Sequence, residues 1–141
     1  MAGSCSTCCA PCARADEGAG QVDIPPGWPH EVRPPGAPDW ERTAVAWLFD
    51  LCPPDYRAHE VLRRHPVVLA RFAALHVEAG VLAARRGLST VRVELREVAD
   101  PETVEAAVSA FEREGARLVA TSRAVALVES GLRGRRFPAR L

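Results

Sequence analysis

Two long segments, residues 66–98 and 101–132, carry apolar or small side chains at alternating steps of three and four, and this spacing constrains the chain more than any other feature. In the first, Val67, Ala70, Ala74, Val77, Val81, Ala84, Leu88, Val91, Leu95 and Val98 fall on one helical stripe. In the second, Val104, Val108, Phe111, Gly115, Leu118, Ser122, Val125 and Leu132 do the same, interrupted by Glu129. Folding the chain back at Asp100 brings the stripes into phase. Leu95 then faces Val104, Val91 faces Val108, Leu88 faces Phe111, Ala84 faces Gly115 and Val81 faces Leu118. The expected architecture is an all-α protein built on a long antiparallel hairpin with a coiled-coil-like seam.

The turn between the segments is well marked. Asp100 can accept hydrogen bonds from the free amides of the following helix, Pro101 fits a first helical position, and Glu102 and Glu105 sit at the positive end of the helix dipole. At about 1.5 Å per residue each arm would be roughly 50 Å long. A rival α+β reading takes Val91, Val93 and Leu95 as a strand of period two, followed by a crossover helix and a second strand at 116–120. Arg92, Glu94, Arg96 and Glu97 suit the outer face of a helix better than a central strand.

Ahead of the hairpin, residues 39–51 read as a shorter amphipathic helix with Asp39 as N-cap and Trp40, Ala44, Trp47, Leu48 and Leu51 on one face; Pro53 and Pro54 end it. A second apolar stripe on the first long helix, Val68, Phe72, Leu75, Ala79 and Leu82, stops where Arg85 and Arg86 begin. The short helix is expected to dock there, giving a three-helix bundle over residues 39–134. Residues 55–64 add one or two helical turns, with Tyr56, Val61 and Leu62 covering the end of the core.

Residues 1–38 differ in composition. They are rich in Gly, Pro, Ser, Cys and Ala, and read as a disordered tail or a strap draped over the bundle, with Trp28 as the side chain able to pack back. Residues 135–141 form a basic C-terminal tail. No segment reads as apolar enough to span a membrane, and no hydrophobic signal core precedes the cysteines, so a cytoplasmic protein is expected.

Formal charge sums to zero, and all 18 basic residues are arginine. Arg63 and Arg64 at one end of the hairpin, with Arg133, Arg135 and Arg136 at the other end of the chain, would share one end of the bundle. Nucleic acid could bind there, but zero net charge argues against it.

The cysteines Cys5, Cys8, Cys9 and Cys12 form two fused C-x-x-C halves, a pattern whose thiolates can chelate zinc or iron. Structural zinc sites separate their halves so that a small fold closes around the metal, and here Cys8 and Cys9 are adjacent. These four are weak metal candidates, and no cofactor is expected. Cys52 reads as buried at the end of the first helix. The histidines His30, His59, His65 and His76 match no H-E-x-x-H spacing, and no catalytic constellation appears.

The stretches PPGAPDWERTAVAWL, CPPDYRAHEVLRRHPVVLARF, EREGARL and LRGRRF, within residues 29–138, resemble uncharacterised short proteins of high-GC actinobacteria. The resemblance implies an all-α fold and brings no activity, cofactor or functional residue with it.

The leading functional expectation is a non-enzymatic helical interaction protein. Its expected contact surface is the hairpin tip, where Val93, Ala106, Ala107 and Ala110 lie outside the seam and would meet a protein partner or a second copy. A thiol- or metal-handling role for the N-terminal cysteines and a nucleic-acid role for the arginine end are the alternatives.

Overall fold

The computed structural model describes residues 23–137, which are helical apart from turns and contain no strand. Its elements are α1 (Trp40–Leu51), a short 3-10 turn (Pro54–Ala58), α2 (Glu60–Arg64), α3 (Pro66–Leu95) and α4 (Pro101–Leu132). The α+β alternative is overturned: Val91–Leu95 is the last part of α3, with Val91 buried against α4 and Arg92 and Glu94 turned to solvent.

The hairpin turn forms as the sequence implies. Asp100 Oδ1 accepts from Thr103 N at 2.9 Å and Oδ2 from Thr103 Oγ1 at 2.7 Å, and these bonds hold its carboxyl below the usual carboxylate range. Below the turn, Arg92 clamps Glu105 across the two helices with bonds of 2.9 and 3.1 Å, which lowers the Glu105 carboxyl and raises the Arg92 guanidinium. The first arm stops at Leu95 rather than Val98. Val98 N and Ala99 N both bond Leu95 O, and Asp100, as the residue before a proline, must be extended. Val98 is therefore 76% exposed instead of seated in the seam.

The seam has the expected register with two one-residue shifts. A Cβ built on Gly115 meets Ala84 Cβ at 3.8 Å, so that rung stands. Leu118, however, lies over Gly80, and the Phe111 ring lies over Gly87, where a Cβ would come within 2.8 Å of three ring carbons. The bulky side chains of α4 settle into the notches left by the two glycines, one residue short of Val81 and Leu88. We expect Gly115→Ala to stabilise the protein by up to about 1 kcal/mol through helix propensity alone. Gly87→Ala should lose that gain and more, because overpacking against Phe111 costs about 1–3 kcal/mol. Equal stabilisation at both sites in urea melts would refute the Phe111 placement.

α1 begins near the open end of the hairpin, where Trp40 closes over Gly131, and runs toward its middle. The 3-10 turn and α2 then bring the chain back to Pro66. Leu48, Leu62, Leu69, Val125 and Val128 are fully buried and centre the core, with Ala44, Ala70 and Ala73 filling between them. Each large aliphatic side chain contributes roughly 1.5–3 kcal/mol by burial. Leu62 closes the end of the core as expected, whereas Val61 is 50% exposed. The whole core occupies the open half; toward the turn only Ala84, Val91, Val104 and Val108 are buried, in a two-helix seam.

Asp39 does not cap α1. Its φ is 63°, left-handed backbone that Asp tolerates, and its side chain makes no cap bond. Instead it pairs with Arg42 at 3.6 Å, while Thr43 Oγ1 accepts from Arg33 N and donates to Trp40 O, tying the preceding strap to the helix.

The reading of residues 1–38 as a disordered tail is corrected over its described part, where the alternative of a draped strap with Trp28 packed back is what forms. From Asp23 the chain is a strap on the open end: Val32 and Pro29 are buried, Trp28 stacks obliquely on Trp40 and edge-on to Phe137, and Trp28 Nε1 donates to Val32 O at 2.9 Å. Three apolar anchors and a self-closing turn fix a Pro-rich segment that composition alone labels unstructured. Phe137, in the expected basic tail, belongs to the same aromatic group.

Candidate interaction surface

The tip residues expected to form a patch are not brought together. Val93 is 66% exposed, and Ala106 and Ala110 are exposed. Val93 lies two residues beyond buried Val91 and Ala106 two before buried Val108, about 200° round their helices, so each points away from the other arm. Ala107 is half-buried beside the seam. These residues occupy different sides of the arm and make no single apolar surface.

The larger surface lies on α3. Val68, Phe72, Leu75 and Leu82 are 36%, 43%, 55% and 59% exposed, and Ala79 between them is exposed too. This is the stripe on which the short helix was expected to dock, and that expectation is overturned. At about 100° per residue the stripe stands almost opposite the seam, whereas a third helix that touches both arms must sit at their flank. α1 takes that flank, packing on the face of Leu69, Ala73 and Val77, where the small Ala73 lets it approach. Neither predicted stripe contains Leu69 or Ala73. The signal that could have found them is the pair of small residues Ala70 and Ala73 beside Leu69, all three fully buried.

The first half of α3 is therefore apolar on three sides: against α4, against α1, and outward. For this reason α3 contains a stretch long and apolar enough to cross a membrane, about a third of it buried here, contrary to the sequence expectation that no segment qualifies. A core helix of a bundle meets the same criterion, and Leu69, Ala70, Ala73 and Val77 are core.

The two margins of the outer stripe differ. On the α1 side, the Tyr56 ring packs edge-on to Phe72 at 5.8 Å and to His76 at 6.2 Å. On the other side Arg71, Glu78 and Arg85 follow at intervals of seven residues, beside a groove shared with Arg123 and Glu129 of α4. Arg71 Nη1 donates to Glu129 Oε2 at 3.3 Å, and Arg133 reaches Glu129 Oε1 at 2.9 Å, so the glutamate that interrupts the seam stripe is held between two arginines. Glu78 and Arg85 are exposed and make no ion pair among the described residues.

Other sequence candidates lie elsewhere. Cys5, Cys8, Cys9 and Cys12 fall outside the described residues, and among the described residues no three His, Cys, Asp or Glu side chains cluster to hold a metal. Cys52 is buried as expected; burial pushes its thiol up, with Arg57 pulling partly back, the opposite of an activated nucleophile. Arg63, Arg64, Arg133, Arg135 and Arg136 are exposed at the open end, where Arg64 pairs with Glu60 at 2.5 Å and Arg133 with Glu129.

No family model, curated protein or solved structure matches this chain.

Proposed function

We propose that this chain is a non-enzymatic helical interaction protein whose docking surface is the outer face of α3, from Val68 to Leu82, rather than the hairpin tip. The observation that supports the reading is the exposure of Val68, Phe72, Leu75, Ala79 and Leu82 on one continuous helical face beside a rigid core. Solvated helices present polar residues outward; an outward row of Phe, Leu and Val loses free energy in water and gains it under a partner. Arg71, Glu78 and Arg85 along its open margin supply a polar rim with both signs of charge. A free, buried thiol at Cys52 fits a reducing compartment and supports a cytoplasmic location.

The test is a paired substitution at two of the most exposed positions. Leu75→Glu with Leu82→Glu should leave the helical circular dichroism spectrum unchanged, and in the low micromolar range the melting temperature too. Expressed in the native cell, it should lose a protein, whether another chain or a second copy of this one, that wild type retains. A double variant that keeps the wild-type hydrodynamic size and recovers the same proteins would end this reading.

A further inference from the structure

We infer that the occupant of the α3 outer face is a second copy of this chain, its α3 running antiparallel with Phe72 opposite Leu75 of the other copy; the inference rests on the reading just given.

Three observations carry it. The first is spacing. Val68, Phe72, Leu75, Ala79 and Leu82 alternate steps of four and three, the repeat that keeps a helix face in register with a partner helix of the same pitch.

The second is what else could cover it. Residues 1–22 hold only Met1 and Val22 as large aliphatic side chains, and residues 138–141 only Leu141. Neither stretch matches a row of five apolar positions.

The third is charge. One margin is occupied by Tyr56, so the open margin of Arg71, Glu78 and Arg85 is the one a neighbour meets. In a parallel pair this margin would face His76 and Ala83, and Glu78 would gain no cation. In an antiparallel pair the margin meets itself reversed. With Phe72 opposite Leu75 and Val68 opposite Ala79 of the other copy, Arg71 falls against Glu78 twice, once on each side of the two-fold axis. Sliding by one heptad, so that Phe72 meets Leu82, would set Glu78 against Glu78 and Arg71 against Arg85. Arg71 uses Nη1 for Glu129 and keeps Nη2 for this contact, while Glu78 has no ion pair within its own chain among the described residues. Large then meets large at the centre and Val68 meets the small Ala79 at each end.

The experiment uses the full chain with its five native cysteines replaced, Cys5, Cys8, Cys9 and Cys12 by Ser and Cys52 by Ala. Val68→Cys and Ala79→Cys are made separately, then oxidised alone and as a mixture. In the inferred pair residues 68 and 79 are neighbours, whereas 68 to 68 and 79 to 79 are each displaced by about 16 Å along the helices. The mixture should give a disulfide-linked dimer and the single variants should not. Light scattering of wild type should report about twice 15.2 kDa, and Glu78→Arg should weaken association about 10-fold or more by facing Arg71. A disulfide from Val68→Cys alone would establish a parallel pair and overturn the inference while leaving the docking face in place. A monomer at about 200 µM that gives no cross-link would also overturn it, as would a monomer that co-floats with phosphatidylcholine–phosphatidylglycerol vesicles. In either case the double glutamate variant decides separately whether the face docks anything.

Discussion

Leu69→Ala is expected to lower stability by about 2–5 kcal/mol, whereas Leu75→Ala, on the same helix, should change it by less than about 0.5 kcal/mol. Leu69 is fully buried among Leu48, Ala73 and Val128, so truncation leaves a cavity that neighbouring helices cannot collapse to fill. Leu75 is 55% exposed and has little burial to lose. The measurement is a urea melt in the low micromolar range, where self-association does not add to the apparent stability. Equal losses at the two positions would put the outer face in the core and remove the basis of the proposed docking surface.

The second large effect is expected in the strap. Trp28→Ala should cost about 2–4 kcal/mol, toward the lower part of the range for buried tryptophan because the ring is only partly enclosed. It removes the contacts with Trp40 and Phe137, uncovers Gly131 and frees the turn that holds Val32. His30→Ala, two residues away, is the control: its side chain is 93% exposed and should be silent. If both substitutions leave the thermal midpoint unchanged, the strap does not belong to the folded unit, and the core begins at α1 after all.

The hairpin is written locally: Asp100 followed by Pro101, with Thr103 in bonding range, marks the turn, and the seam residues declare themselves by spacing. Which face of α3 receives α1 is not written that way. All three faces of its first half are apolar, so periodicity offers several answers, and the choice falls to the bundle requirement that a third helix touch both arms. That requirement selects Leu69, Ala73 and Val77, and it leaves the stripe Val68 to Leu82 on the surface. The strap is only half legible, as one of two options for its segment, and for a different reason. Trp28, Pro29 and Val32 have no repeat, and their packing depends on Gly131 and Phe137 from the far end of the chain. The tip residues Val93, Ala106, Ala107 and Ala110 all lie outside the seam spacing, which does not make them one patch: helix geometry turns Val93 and Ala106 to different sides.

The uneven placement of the core has a mechanical consequence. α1 and the strap grip only the open half, so the rest of the hairpin, about 20 Å along its axis, is a stalk rooted at one end. Its two rods are pinned to each other near the tip by the Arg92–Glu105 clamp and along their length by Val91 and Val108. Because the lever is that long, a tilt of about 10° at its root would carry the turn sideways by roughly 3–4 Å. Two copies joined through the gripped halves would leave two such stalks projecting in opposite directions from one centre, their two turns held far apart.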